Sequence, residues 1–300
     1  IRVPSSFNSL VGIRPTIGLA SRDGIVPLAL TQDVGGPMAR TVEDAAIVLD
    51  VISGYDPSDV ATARSVGEIP ASYTSFLDKD GLQGARIGVV RALFGENEEV
   101  VSVVDTAVED MKKMGATVID VEIPNLDEIL SYPSLSTWEF KFQLNEYLES
   151  LGDRAPYRSL NEILASGEYD PSIESSLKER NQRESLDAEE YKDILLYRTK
   201  LTQDSLLKVM ADYDLDALVY PTTTEPPAKI GEEQATGGNN RLSPYSGFPA
   251  ITVPAGYTAT DRLPVGIEFL GRAFSEPVLI KLAYAYEQGT LHRIPPESTP

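Results

Sequence analysis

Cysteine is absent from these 300 residues, so no disulfide, thiolate metal site or cysteine nucleophile can be built within them. The same absence removes the redox signal from which a compartment is read, and leaves cytoplasmic and secreted locations equally open. Histidine occurs once, as His292, close to the C-terminal prolines. A Ser-His-Asp enzyme needs its imidazole held in a packed, oriented site. So near the chain end, a solvated histidine is expected instead. Basic residues are scarce beside acidic ones: 26 Lys and Arg against 46 Asp and Glu give a formal charge of −20. Such a surface repels phosphate backbones and anionic lipid, so neither nucleic acid nor a membrane is an expected partner, and the plain reading of the acidity is solubility. No apolar run approaches a membrane span, and no charged-then-apolar leader opens the chain. Because the chain starts Ile1-Arg2 rather than with methionine, its natural beginning, with any signal peptide, is expected to lie outside it.

What is present is an ordinary globular composition, 42% hydrophobic, long enough for a substantial core. Thr41 with Asp44 forms a capping-box pattern ahead of Val42, Ala45, Ala46, Leu49 and Ile52, which recur at helical spacing until Gly54. Residues 56–84, rich in Ser, Asp, Pro and Gly, read as loop with short turns. A β-α-β unit follows. Strands are predicted over 85–90 and 117–123, with a helix over 98–114 showing Val101, Val104, Val108 and Met111 on one face. A parallel pair with a right-handed crossover is implied.

Residues 125–151 read as mostly helical and carry Trp138, the only tryptophan. Ser159 with Glu162 opens a short helix. Residues 168–210 are charged and helical, with Leu195, Leu196, Tyr197, Leu201, Leu206, Leu207 and Met210 as the apolar side. A buried strand over 216–220, a long polar loop over 221–241, strands over 250–253 and 265–270, and a helix over 276–290 capped by Ser275 complete the chain. Its predicted stripe is Leu279, Leu282, Ala283 and Tyr286. The expected class is α/β, a mixed central sheet covered by helices on both faces, with nothing in the pattern dividing the chain in two.

Read for chemistry alone, the residues are mute. Gly84, Gly88 and Gly95 do not make a G-x-G-x-x-G turn, so a dinucleotide site is unsupported. There is no metal-ligand spacing and no phosphate loop, and no acidic pair stands out from a soluble surface.

Several stretches taken together say more. Ile1-Arg2-Val3-Pro4 leads to Val11-Gly12-Ile13-Arg14-Pro15-Thr16. Further on come Gln32-Asp33, Gly36-Pro37-Met38-Ala39-Arg40-Thr41-Val42, Leu82-x-Gly84-x-Arg86-Ile87-Gly88, Tyr245-Ser246-Gly247-Phe248-Pro249-Ala250-Ile251-Thr252-Val253-Pro254, Leu263-Pro264-Val265-Gly266-Ile267 and Ser275-Glu276-Pro277. In this order the segments resemble the amidase signature family. Gln32-Asp33, Trp138-Glu139-Phe140-Lys141 and Arg158-Ser159-Leu160 are similar to its peptide amidase branch.

The resemblance implies that residues 1–300 are the C-terminal part of a single amidase signature domain, opening just after the nucleophilic serine. It implies a Ser-Ser-Lys hydrolase that splits a carboxamide, a C-terminal peptide amide or another acyl amide, into acid and ammonia without metal or cofactor. A lysine whose pKa is lowered by burial takes the place of histidine as base. Lysine, bridging serine and nucleophile all precede Ile1 in the family, so no catalytic residue is expected in this chain, and Ser5 and Ser6 are expected to be helix or turn residues.

The expected partners are therefore a small-molecule or peptide amide substrate and the missing N-terminal part of the same protein. Without that part the chain should be inactive and should expose apolar faces. Arg2 is expected to brace the catalytic loop. Asp33 either bonds its own turn or approaches that loop. Ser246, Gly247 and Phe248 resemble a wall of the acyl pocket, although a loop leading into a strand would look the same. Trp138 is either core or substrate wall. Two alternatives remain: the amidase-like subunit of a tRNA-dependent amidotransferase, and a homologue without catalysis.

Overall fold

Short apolar runs bounded by Gly and Pro make seven strands: β1 (Val11–Arg14), β2 (Met38–Ala39), β3 (Arg86–Val89), β4 (Thr117–Asp120), β5 (Ala217–Pro221), β6 (Ala250–Tyr257) and β7 (Pro264–Leu270). The computed structural model describes residues 1–234 and 238–296. Its sheet runs β2-β1-β6-β7-β5-β3-β4. β3 pairs in parallel with β4 and β5, whereas β2, β1, β6, β7 and β5 are antiparallel to their neighbours in that order. The expected mixed sheet is what is found. The 221–241 loop runs between β5 and the segment before β6, and its residues 235–237 lie outside the described residues.

The helices are α1 (Arg2–Phe7), α2 (Val42–Ile52), α3 (Glu98–Lys113), α4 (Leu126–Ser131), α5 (Ser136–Ser150), α6 (Leu160–Ser166), α7 (Glu174–Asn181), α8 (Glu189–Asp193), α9 (Thr199–Asp212), α10 (Leu242–Ser246) and α11 (Glu276–Thr290). Side chains alternate across a strand, so the sheet has two faces to bury. Ile13, Val219, Ile251, Val253, Ile267 and Phe269 meet α2, α3 and α11 on one of them. Leu218, Tyr220, Ala250 and Leu270 meet α4, α9 and α10 on the other. Helices therefore cover both faces. α5 to α8 bury smaller apolar clusters of their own, around Trp138 and around Leu144.

Local signals place most of these helices. Thr41 Oγ1 accepts from Asp44 N–H at 3.0 Å and starts α2. In α3, Asn97 caps, Glu98 and Glu99 occupy the first turn, and Lys112 and Lys113 the last, each sign suited to its end of the helix dipole. Its buried stripe is Val100, Val104, Ala107, Val108 and Met111, with Val101 at the margin.

The 125–151 stretch is mostly helical, as expected, with one interruption, and three other expectations need correction. The 125–151 stretch is split at Pro133 into α4 and α5, because proline cannot continue the backbone ladder. The 168–210 stretch is likewise broken, and contains a π-helical turn, Ile194–Arg198. Leu196 and Tyr197 face solvent, whereas Arg198 is buried on the side of Tyr191, Ile194 and Thr202. Ser275 sits before α11 but makes no side-chain cap; its hydroxyl donates to the Arg272 carbonyl at 2.7 Å. His292 is half-buried against the Tyr286 ring, 6.0 Å between centroids, and burial pushes its pKa down.

Apolar side chains are exposed on the outer side of α2, at Ile47, Val48 and Val51, and nearby in sequence at Tyr55, Val60 and Val66. Beside them in the chain, Asp59 holds Arg22: it accepts from Nε at 2.7 Å, from Nη2 at 2.5 Å and from Arg22 N–H at 3.0 Å. The Arg22 hydrogen bonds pull the Asp59 pKa down from 3.8 to about 2. A depressed carboxylate pKa stabilises the fold above the unfolded value, and that contribution fades as pH falls through the folded one. In the full-length protein, Asp59→Asn should therefore lower the melting temperature at pH 7, with the gap to wild type closing between about pH 4 and pH 2. A gap that stays constant over that range would contradict the assignment.

Candidate active site at the start of the first helix

α1 has six residues, too few to be stable by itself, and its position is set by the sheet beneath. Ser5 and Ser6 point at strands where two glycines leave room. A Cβ on Gly12 would fall 2.4 Å from Ser5 Oγ, and one on Gly266 would fall 2.6 Å from Ser6 Oγ. Gly12 lies opposite Thr252 and Gly266 opposite Pro254, so the helix descends onto β1, β6 and β7 where side chains are missing or small. Ser5 and Ser6 are thus helix residues, as expected, and both are buried.

One residue into the helix, Arg2 is buried and ion-pairs with Glu268 of β7, while its Nη2 donates to the Asn240 carbonyl at 3.0 Å. Glu268 is wholly buried, and its Oε1 also accepts from the Tyr220 hydroxyl at 2.8 Å. A carboxylate in so dry a place is tolerable only with such partners. Burial pushes the Glu268 pKa up, against the Arg2 charge and the Tyr220 hydrogen bond. Burial, then the Glu268 charge, raises the Tyr220 pKa well above its ordinary value.

Arg14, at the end of β1, ties three segments together. Nη1 donates to Ser243 Oγ at 3.1 Å and to the Phe248 carbonyl at 3.3 Å, and Nη2 to the Gln32 carbonyl at 2.6 Å. Burial, then the nearby Arg2 charge, lowers its pKa to about 9, which still leaves it charged at neutral pH.

The 28–33 loop is anchored from several sides. Asp33 Oδ2 accepts from Leu28 N–H at 2.7 Å and Ala29 N–H at 2.8 Å. Burial raises the Asp33 pKa, and those two bonds oppose the rise. Leu30 N–H donates to Gln143 Oε1 at 2.7 Å, and Thr31 Oγ1 to the buried Glu139 carboxylate at 2.6 Å. Between this loop and α1 lies a cavity of about 330 Å³, with Ile1, Arg2, Arg14, Gln32, Asp33 and Asn240 in its walls.

Arg2 and Asp33 thus share one cavity. Asp33 bonds its own turn and also stands in the cavity wall. Ser246 and Gly247 line a second cavity of about 360 Å³, together with Thr31, Thr199 and Tyr245; Pro244 touches both cavities. Gly247 ends α10 with φ +75°, and a Cβ there would meet Ile17 Cγ2 at 2.9 Å. Ser246 Oγ donates to the Leu242 carbonyl at 2.8 Å and accepts from Phe248 N–H at 3.1 Å. The Phe248 ring is packed in the core beside Leu242 and Tyr245, and its carbonyl reaches Arg14. Trp138 lies among Leu135, Tyr191 and Ile194, with the Arg183 guanidinium 4.0 Å above its ring, and lines neither cavity.

The Amidase family model matches residues 1–280. This chain belongs to the amidase signature family. A probable amidase from Arabidopsis thaliana is 37% identical over 308 residues, covering 98% of this chain and 56% of that protein. A glutamyl-tRNA(Gln) amidotransferase subunit from Clostridium botulinum is 35% identical over 323 residues, covering 96% of this chain and 61% of that protein. The native peptide amidase of Stenotrophomonas maltophilia superposes with a TM-score of 0.86 at 36% identity, over 99% of this chain and 61% of that enzyme. The chain thus spans 56–61% of the length of these family members.

Sequence reasoning missed Glu268, Tyr220, Arg14 and Arg198. One signal was available: Glu268 is a lone acid inside Val265-Gly266-Ile267-Glu268-Phe269-Leu270, and a charge in a strand buried on both faces needs a partner.

Proposed function

We propose that the protein carrying these residues hydrolyses a carboxamide, a C-terminal peptide amide or another acyl amide, to acid and ammonia. The observation that carries this reading is the cavity at the first turn of α1, where the buried Arg2–Glu268 pair and the anchored Asp33 loop hold Ile1 in a fixed place. The names of its relatives, a peptide amidase and a probable amidase, supply the reaction class.

In this reading a serine directly ahead of Ile1 attacks the amide carbonyl. Its proton passes through a second serine to a neutral lysine and on to the departing ammonia, leaving an acyl ester that water cleaves to the acid. The three reacting groups lie on polypeptide outside these residues. Arg2 and Asp33 hold the loop beneath the nucleophile. Ser246, Gly247 and the Phe248 backbone form the wall toward the acyl group, and Trp138 supports that side from within its helical cluster.

The decisive experiment uses the full-length protein with dipeptide amides, following ammonia release and looking for an acyl adduct by mass spectrometry. Turnover with the adduct on the residue preceding Ile1 is expected, and a residue other than serine there would overturn the proposal. Residues 1–300 alone should release no ammonia; turnover by that preparation would place the reacting groups within the chain. The similarity to an amidotransferase component favours a second reading, an amidase-like member of a tRNA-dependent complex. Co-purification of full-length protein with partner subunits, together with ammonia transfer instead of release, would select it.

A further inference from the structure

We propose that Gln32 is a specificity-determining residue, its side-chain NH2 donating to a second carbonyl on the acyl side of the substrate, so that peptide-type amides are taken over simple ones. The inference deepens the hydrolase reading and rests on it for the position of the scissile amide.

Gln32 Oε1 accepts from Leu135 N–H at 3.0 Å and from Arg198 Nη2 at 3.4 Å. A backbone N–H and a guanidinium can only donate, so the oxygen must face them and the amide cannot be flipped. The NH2 group is thereby turned the other way. No group among the described residues accepts from it, and it is not sealed from solvent. Gln32 stands in the wall of the cavity it shares with Ile1, Arg2 and Asp33. An oriented donor without an acceptor, beside the proposed reacting centre, is a binding group.

The surroundings make the donor rigid. The Gln32 carbonyl is held by Arg14 at 2.6 Å, and the flanking Thr31 and Asp33 are bonded as described above. Arg198 is buried, lies 3.8 Å from the Tyr245 ring centroid, and donates Nη1 to the Pro133 carbonyl at 3.0 Å. It is the last residue of the π-helical turn, Ile194–Arg198. Arg198 is a positioning residue that acts through Gln32. A carbonyl oxygen is a matching acceptor for this amide NH2. An N-acylated amino acid amide carries one on the acyl side of the scissile bond, whereas a plain arylalkyl amide does not.

The test compares two methyl ketones that cannot be hydrolysed, the analogues of N-acetyl-phenylalaninamide and of 3-phenylpropanamide, binding to full-length protein by calorimetry. Wild type should favour the first by about tenfold, the worth of one well-placed hydrogen bond. Gln32→Glu keeps both accepted bonds and removes the donor, and Gln32→Met removes both; each should bring the ratio close to one. Arg198→Met should lower the ratio without changing the affinity of the ketone lacking the second carbonyl, and Arg198→Lys should restore it, which a purely structural arginine would not do. A ratio unchanged in both Gln32 variants, a wild-type ratio near one, or no binding of either ketone overturns the proposal. Ammonia release from the matching amides is scored separately: a Gln32-dependent ratio without turnover removes the hydrolase reading and leaves the binding site.

Discussion

Arg2→Ala in the full-length protein should lower the unfolding free energy by about 3–5 kcal/mol in urea denaturation, the cost of leaving one member of a buried ion pair alone. Glu268 has no exposure to water, and its Oε2 already lacks a partner, so losing Arg2 leaves the Tyr220 hydroxyl as its main support. The loss should depend on pH. Burial raises the folded pKa of Glu268, and removing the Arg2 charge removes the largest force opposing that rise. A carboxyl with a raised folded pKa favours the fold when protonated, so the penalty should be greatest above that pKa and shrink as pH falls through it. The gap between variant and wild type should thus be wider at pH 8 than at pH 5, and a gap independent of pH would contradict the pairing. Replacing both partners, Arg2→Met with Glu268→Leu, should recover most of the lost stability, because no charge is then stranded. Activity should not recover with it, since the tie from Arg2 to the Asn240 carbonyl is also gone.

A second large effect is expected where α1 meets the sheet. Gly12→Ala places a methyl 2.4 Å from Ser5 Oγ and 2.9 Å from Ser5 Cβ, and Gly266→Ala places one 2.6 Å from Ser6 Oγ and 3.0 Å from Thr252 Oγ1. The strands are held by ladder hydrogen bonds on both sides, so the short helix must give way, carrying Ile1 and Arg2 with it. Overpacking of this kind costs about 1–3 kcal/mol. Gly12→Val should exceed that and abolish the proposed amide hydrolysis by full-length protein. Gly54→Ala is the control, since a Cβ there meets nothing within 4 Å, and its effect should stay within about 0.5 kcal/mol. Equal melting temperatures for the Gly12 and Gly54 variants would show that α1 is not held as described.

The peptide amidase and amidotransferase relatives share the fold but, by name, differ in what they act on. The discriminating groups should therefore lie in the walls above the common frame. Gln32, held by α5 and the π-helical turn, is such a group, whereas Arg2, Glu268 and Tyr220 belong to the frame.

Residues acting on near neighbours could be read from the sequence alone. The Thr41 cap and the apolar stripe of α2, the charged ends of α3, the β-α-β unit and the span of α11 all depend on contacts a few residues apart. Composition and periodicity carry that information. The family could be read too, because its segments keep their order along the chain. Tertiary structure decided the rest. Arg2 and Glu268 are 266 residues apart, and nothing in either neighbourhood names the other. Arg198 falls on the buried side with Ile194 and Thr202, and the linear pattern does not show what its guanidinium pairs with there. Gln32 becomes a donor facing a cavity only because donors from two distant elements claim its oxygen. Burial and pairing of polar groups are properties of the packed chain, and a linear pattern shows which groups will need partners without showing where they are.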